Sequence, residues 1–570
     1  MTRHDPKLMH RGLLAVRRNS IRKLLRSVFG IEHLRDGQQR VIDSVLDGKD
    51  TLAIMPTGSG KSLCYQIPAR MLEGMTIVIS PLISLMKDQL EKLQEMGIRA
   101  VQVNSTLSAE EEREALEAIA TGACEIVFCT PERLAIADFV EVLKQVKIDM
   151  VVVDEAHCIS QWGHDFRPAY IEMAASIEAL GRPPVLALTA TATEDVIEDI
   201  RKQLSRPRLN VINTGIYRPN LHYRVLQVTN ADEKYEEAKR LVQETKGVGI
   251  VYAATVKAAE ELYHILQEAG ESVTIYHGHL RAAERKANQD MFMNDERRVM
   301  VATNAFGMGI DKPDTRFVIH LQIPANLEAY YQESGRAGRD GKDAECTLLF
   351  FQDDKRVQQF FLVKHYPTAN DIKAVYEAVR ELADAGPVTI EQLEEKVEEH
   401  ESKLKVCLKL LKDGKLLRQN RKLEYIVTAA VPKHETFEGL AEVYVQKQER
   451  DREALDQMVG YAVSGFCRWK LLLDYFEDEV PGFEKCCRCD NCLNPPALSL
   501  TEDIEIRDDE FDQVHDEHEP PKPAYEVGAR VKVPKYDDGV VVAVAGDQIT
   551  IEFPDQEKRT FLAEFVEPAG

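Results

Sequence analysis

Two short segments, Met55-Pro-Thr-Gly-Ser-Gly-Lys-Ser62 and Val151-Val-Val-Asp-Glu-Ala-His157, carry the residue types needed to bind and split a nucleoside triphosphate. In the first, Thr57, Gly58, Ser59 and Gly60 form a turn whose backbone N–H groups can point at phosphate where a helix begins. Lys61 then reaches the terminal phosphates, and Ser62 ligates Mg2+. The strict form of this pattern has glycine where Met55 stands. The second segment offsets that departure. Its three valines read as a buried parallel strand that delivers Asp154 and Glu155 to its C-terminal end, where ligands of open α/β sheets bind. Asp154 is placed to hold Mg2+ through water and Glu155 to polarise the attacking water; a charge pair at a helix N-terminus is the plainer alternative. In a third segment, Tyr330-Tyr-Gln-Glu-Ser-Gly-Arg-Ala-Gly-Arg339, Arg336 and Arg339 read as two arginines on one face of a helix start. Offered from a second lobe, they would stabilise the charge of phosphoryl transfer. Surface salt bridges are the alternative for them.

Such residues need rigid strands behind them. Apolar runs at 76–80, 126–129, 151–153 and 185–188 alternate with helical patterns, which predicts a doubly wound parallel sheet. Runs at 250–252, 273–276, 299–302, 317–321 and 347–350 repeat the arrangement without a phosphate loop. The predicted class is therefore α/β, with one lobe over 1–213 and a second over 214–352.

At 570 residues the chain is too long for a single core. No run of eighteen apolar residues occurs, and the basic N-terminus is broken by polar residues, so a soluble, cytoplasmic protein with no membrane partner is expected. In that setting eleven cysteines read as thiols or metal ligands rather than disulfides. A formal net charge of −23 argues against nucleic-acid binding by general basicity. The acid is concentrated at 391–401 and 501–520, whereas 3–26 and 403–422 are locally basic, so partners must be read from sites.

With the further segments Gly37-Gln38, Ser80-Pro-Leu-Ile-Ser-Leu-Met-Lys-Asp-Gln89, Thr130-Pro-Glu-Arg-Leu134, Cys158-Ile-Ser-Gln-Trp-Gly-His-Asp-Phe-Arg-Pro168, Leu188-Thr-Ala-Thr-Ala192 and Ala305-Phe-Gly-Met-Gly-Ile-Asp-Lys-Pro313, residues 25–351 resemble the RecQ family of superfamily 2 DNA helicases. The resemblance implies two RecA-like lobes, ATP and Mg2+ as cofactors, and 3′ to 5′ movement on single-stranded and forked DNA in repair or recombination. It implies that Arg35 and Gln38 read adenine and that Arg339 is an arginine finger with Arg336 beside it. It also implies that Gln161, Trp162, His164, Phe166 and Arg167 form a loop coupling single-strand binding to hydrolysis. Aromatic faces suit that task because they stack on any base, at roughly 1–3 kcal/mol each. A buried core anchor is the alternative for Trp162. Ile31 and Asp36 stand where the family usually has an aromatic residue and a proline, so adenine loses a stacking partner.

Beyond the lobes, helical patterns at 370–382, 389–399 and 402–411 precede a hairpin-like 416–428, so residues 366–432 resemble a winged-helix module. Lys403, Lys405, Lys409, Lys412, Lys415, Arg418, Arg421 and Lys422 would meet duplex DNA there, unless they form only a solvated face. In typical family members such a module follows the zinc site, whereas here it comes first. Cys467, Cys486, Cys489 and Cys492 have the spacing of a four-thiolate Zn2+ site, within a helical subdomain at 438–495 that resembles the family's zinc-binding segment. Cys487 competes with Cys486 as ligand, and a redox pair is the main alternative. Residues 496–523 are proline-rich and acidic, the composition of a disordered linker. Residues 524–570 carry short alternating strands and predict a small β-barrel. It resembles the Tudor-like tail of UvrD and PcrA helicases, which implies RNA polymerase, or a single-strand-binding protein, as a possible partner. Two other functions compete with the helicase reading: a nucleotide switch that recruits partners through wing and barrel, and an RNA helicase.

Overall fold

A run of valines such as 151–153 suits only a strand covered on both faces, and in the computed structural model it lies mid-sheet. The structure describes residues 6–35, 37–160, 169–306, 312–383, 386–394, 396–397, 401–420, 424–428, 432–495, 528–533, 538–545, 548–553, 558–562 and 566–568. They fall in two compact units, residues 1–496 and 497–570.

In the first lobe the strands are β1 (Thr51–Ile54), β2 (Met75–Ile79), β3 (Ala100–Val103), β4 (Ile126–Cys129), β5 (Ile148–Val153), β6 (Val185–Thr189) and β7 (Asn210–Asn213). They pair in parallel in the order β3-β4-β2-β5-β6-β1-β7. Alternate residues serve opposite cores: Ile77, Ile79, Val151 and Val153 pack on one face, and Val78, Val152, Leu186 and Leu188 on the other. The second lobe is built on β8 (Leu221–Gln227), β9 (Val248–Tyr252), β10 (Val273–Tyr276), β11 (Val299–Ala302), β12 (Thr315–His320) and β13 (Ala344–Phe350), parallel in the order β10-β11-β9-β12-β13-β8. The two parallel sheets are those expected. Strands β3, β7 and β8 were not foreseen, because polar residues such as Gln102, Asn210, Asn213, His222 and Arg224 break up their short apolar runs.

One helix, His434–Val463, of 30 residues and so about 45 Å long, serves two cores. Its first turns place Phe437 and Ala441 in a cluster with Ile372, Val375, Leu404 and Leu408. That cluster joins helices Ala369–Leu382 and Glu401–Asp413 to the hairpin Leu417–Gln419/Tyr425–Val427, which Val388 extends by a bridge to Tyr425. Within 389–399 the described helix is the short Ile390–Glu394. The later turns of the long helix place Leu455, Met458, Tyr461 and Ala462 in the core of the second lobe, where Trp469, Leu472, Leu473 and Phe476 join Tyr223, Tyr330 and Leu348. The metal-binding segment therefore packs as a face of the second lobe and shares its core.

In residues 497–570 the described strands form a five-stranded antiparallel sheet over Val531, Val541, Ile549, Ile551 and Phe553. It is the small antiparallel β unit expected for 524–570. The acidic stretch 496–523 lies outside the described residues.

Candidate active site and metal centre

Strand β1 ends at Ile54 and helix Leu63–Met71 begins nine residues on, so the phosphate loop sits at the C-terminal edge of the first sheet. Gly58 and Gly60 adopt φ of 79° and 80°, a region costly to any residue with a Cβ. Lys61 is half-buried and its Nζ donates to Met55 O at 3.2 Å. Burial depresses its pKa, with the carboxylates of Glu155 and Asp154 opposing. Gln38 is 1% exposed, and its Nε2 donates to Ser59 O and Gly60 O, both at 3.0 Å. Its Oε1 accepts from the Arg35 backbone N–H at 2.7 Å, and Arg35 Nη1 donates to Gly58 O. The two residues expected to read adenine thus clasp the phosphate loop itself. Ile31 packs partly buried beside Ile21, Leu25 and Ile67; Asp36 lies outside the described residues.

Strand β5 carries Asp154 to the same edge, separated from β1 only by β6. Burial, and after it the neighbouring Glu155 charge, push Asp154 up to about 7, while Lys61 pulls the other way. Tyr65, on the helix after the phosphate loop, senses the same carboxylate. A half-buried carboxylate beside a second one, at the strand end that faces the phosphate loop, is the environment a divalent cation satisfies, so Asp154 with Ser62 fits the Mg2+ role. Glu155 has φ of 49°, a left-handed conformation that costs a non-glycine residue of order 1 kcal/mol or more and recurs at active sites. His157 Nδ1 lies 3.4 Å from Glu155 Oε2 and 3.1 Å from Thr189 Oγ1, and the latter hydroxyl donates to Thr191 O at 2.9 Å. This chain links the acidic motif to the Leu188–Ala192 segment.

The arginine segment departs from expectation. Helix Leu327–Ser334 ends before the arginines, and Gly335 and Gly338 (φ 55°) turn the chain, so Arg336 and Arg339 do not share a helix face. Arg336 is 7% exposed and sits beside Tyr252 at the end of β9. Arg339 lies across Gly58: a Cβ built on that glycine would fall 2.9 Å from Arg339 Cγ. The second lobe therefore meets the phosphate loop at Arg339, whose charge reaches Lys61. Gly58→Ala is accordingly expected to slow ATP turnover roughly tenfold, since the left-handed backbone alone costs an L residue about 1–2 kcal/mol. Steady-state hydrolysis beside a thermal melt checks this; an unchanged rate would mean the two loops do not meet as described.

Reasoning from sequence missed Arg218 and Asn220, which lie between β7 and β8 and bind the loop of Arg336 and Arg339 through its carbonyl groups. The run Tyr217-Arg-Pro-Asn220, a charged and an amide residue around a proline between two lobes, was the available signal.

The Sγ atoms of Cys467, Cys486, Cys489 and Cys492 lie within 4.8 Å of one another. Cys486 and Cys492 are 3.9 Å apart, close to the sulfur separation of about 3.8 Å that a tetrahedron with 2.3 Å Zn–S bonds requires. Backbone N–H groups of Cys486, Arg468 and Cys489 donate to the sulfurs of Cys467, Cys489 and Cys486. That donor set suits thiolates and fits Zn2+. Cys487 is exposed and turned toward Lys485 O, outside the cluster, so Cys486 is the better ligand. Arg468 pairs with Asp490 at 3.0 Å, and Asp490 Oδ2 accepts from Val225 N at 2.9 Å. Trp469 Nε1 donates to Leu221 O at 3.0 Å. The cysteine segment thereby covers the free edge of β8.

Residues expected to touch DNA are less fully placed. Gln161, Trp162, His164, Phe166 and Arg167 lie outside the described residues, as do Arg421 and Lys422. Lys403 is half-buried against Asp371 at 2.7 Å, and Lys412 donates to Gln419 Oε1 at 2.8 Å. Lys403 therefore serves the module's own core rather than a free surface.

The sequence matches three family profiles: "DEAD/DEAH box helicase" over residues 35–200, "Helicase conserved C-terminal domain" over 233–341 and "RecQ zinc-binding" over 421–493. Similar proteins include "ATP-dependent DNA helicase RecQ" of Bacillus subtilis (strain 168), 49% identical over 342 residues that cover 60% of this chain and 57% of the relative. The match thus spans little more than half of that protein. "Probable ATP-dependent DNA helicase RecS" of the same organism is 42% identical, covering 62% of this chain and 72% of its own. "ATP-dependent DNA helicase RecQ" of Synechocystis sp. is 32% identical over 491 residues, 84% of this chain and 98% of the relative. Among solved structures, Mycobacterium smegmatis helicase Lhr bound to ssDNA and AMP-PNP superposes with a TM-score of 0.50 at 20% identity, covering 71% of this chain and 60% of that one, a likeness of fold. With the paired lobes, the phosphate loop, the acidic motif and the four-cysteine cluster in place, the chain belongs to the RecQ family of superfamily 2 helicases.

Proposed function

We propose that this protein is an ATP-dependent DNA helicase that moves 3′ to 5′ along a single strand and separates duplex or forked DNA in repair or recombination. The observation that carries the reading is the meeting of Gly58 in the first lobe with Arg339 in the second, because it makes the seam between lobes sensitive to the terminal phosphate. The names of the relatives, ATP-dependent DNA helicases, support the substrate.

In this reading the turn Thr57–Gly60 cradles the phosphates, and Lys61 neutralises their charge. Ser62 and Asp154 would hold Mg2+, which when bound would supply positive charge to the phosphates. Glu155 orients and deprotonates the attacking water, its strained backbone fixing the carboxylate's direction. Arg339 stabilises the charge that develops as the bond breaks, and Arg336 supports it from within the second lobe. Arg35 and Gln38 hold the phosphate loop and border the base. The segment Gln161, Trp162, His164, Phe166 and Arg167 passes the bound strand's presence back to the acidic motif, from which His157 leads to Thr189. Cys467, Cys486, Cys489 and Cys492 would hold Zn2+, which would tie the cysteine segment to the edge of the second lobe. A protein partner, RNA polymerase or a single-strand-binding protein, docks on the C-terminal sheet. Among the described residues no helix is long and apolar enough to cross a membrane; we place the protein in the cytoplasm.

A fork with a 3′ tail, given ATP and Mg2+, tests the reading. Strand separation that stops when ATP is replaced by a non-hydrolysable analogue is the expected result. Hydrolysis without separation would sink the helicase claim and favour a nucleotide switch. Equal stimulation by RNA and DNA oligomers would sink the DNA assignment.

A further inference from the structure

We infer that Arg218 is a positioning residue that sets the arginine loop against the phosphate loop, so that ATP turnover depends on it through Arg339; this deepens the hydrolytic reading above and rests on it. Arg218 is 9% exposed and lies in the connector between the lobes. Among the described residues its guanidinium is held by main-chain carbonyl groups rather than by a carboxylate. Nη1 donates to Gly335 O at 2.7 Å, and Nη2 donates to Ala337 O and Gly338 O, each at 2.7 Å. Those three carbonyls flank Arg336 and precede Arg339. Nη1 also reaches Thr57 O, in the phosphate loop of the other lobe, at 3.4 Å.

The pattern is asymmetric. Short charge-assisted bonds tie Arg218 to the second lobe, while its bond to the first lobe is long and is the one that closure would tighten and opening would break. Two residues on, Asn220 Nδ2 donates to Gly338 O and Lys342 O, both at 2.8 Å, and lies 2.5 Å from where a Gly338 Cβ would stand. From the other side, Ile216 N donates to Asp478 Oδ2 at 2.7 Å, and Tyr217 meets Trp469 edge-on at 5.0 Å. The connector is thus pinned by the metal-binding segment at one end and grips the arginine loop at the other. A rigid planar fork with five donors addresses these carbonyls from one fixed position, a geometry that the three donors of a flexible ammonium reproduce poorly.

The test compares the full-length wild type with Arg218→Ala, Arg218→Lys, Arg339→Ala and the double Ala variant, in hydrolysis stimulated by single-stranded DNA. We expect kcat to fall about 100-fold in Arg218→Ala, the size of loss that a displacement of about 1 Å at a reacting group can cause. The KM for ATP and binding of a fluorescent ATP analogue should stay near wild type, and Arg218→Lys should recover little of the loss. The double variant should be no slower than Arg339→Ala alone, because both changes remove the same stabilisation. Multiplying losses in the double variant, a wild-type kcat in Arg218→Ala, or full recovery by lysine would each overturn the inference. If Arg218→Ala fails to fold, Arg218→Lys, which keeps charge and stem, decides by the same kcat and KM. Absence of hydrolysis by the wild type would instead overturn the underlying function.

Discussion

Arg339→Ala is expected to lower the turnover of ATP by about 10³-fold or more, the range over which an arginine supplied to a phosphoryl-transfer centre acts. Nucleotide affinity should change only a few-fold, because the backbone N–H groups of the phosphate loop and Lys61 belong wholly to the first lobe. The arginine crosses the seam over Gly58 and reaches Lys61 electrostatically, so its charge serves the state in which the terminal phosphate is leaving. Arg336→Ala is expected to differ in kind. That side chain is buried beside Tyr252, so its removal leaves a cavity and a lower melting temperature along with slower turnover. Single-turnover hydrolysis, with fluorescent nucleotide binding and a melt on each variant, separates the two. A normal rate in Arg339→Ala would remove the reason for placing hydrolysis at the seam.

Cys489→Ser is expected to abolish stoichiometric zinc and leave the protein largely insoluble. A structural zinc site contributes about 10–16 kcal/mol to folding, comparable with the whole net stability of about 5–15 kcal/mol typical of a domain. Cys489 is the buried member of the four, and its sulfur accepts from Arg468 N at 3.4 Å. Its loss would release the Arg468–Asp490 pair and the groups that cover β8. Cys487→Ser is the control and should keep zinc, solubility and melting temperature, because that thiol is exposed and outside the cluster. Elemental analysis and a thermal melt read both. Full zinc content and an unchanged melt in Cys489→Ser would rule out the four-thiolate centre.

What could be read in the chain was local. The phosphate loop, the acidic motif and the cysteine run each occupy a few consecutive residues whose spacing encodes their geometry. Strands buried on both faces, such as Val151–Val153, announce themselves as apolar runs, whereas β8, with His222, Arg224 and Gln227 among its residues, does not. The placing of Arg336 and Arg339 on one helix face failed because spacing of three implies a shared face only while the helix continues, and Gly335 and Gly338 end it. The run Tyr217–Asn220 marked Arg218 but not what it binds, because its partners lie 117 to 161 residues away. Periodicity likewise shows that the helix after His434 has apolar residues, yet it cannot say that two different cores claim them.

The hydrogen bond from Val225 to Asp490 spans 265 residues of chain. At synthesis speeds of about 5–20 residues per second, the ribosome delivers the second of these residues roughly 13 to 50 seconds after the first. Until then the nascent second lobe exposes the outer edge of β8 and an uncovered aromatic face, which only the finished cysteine segment closes off from aggregation.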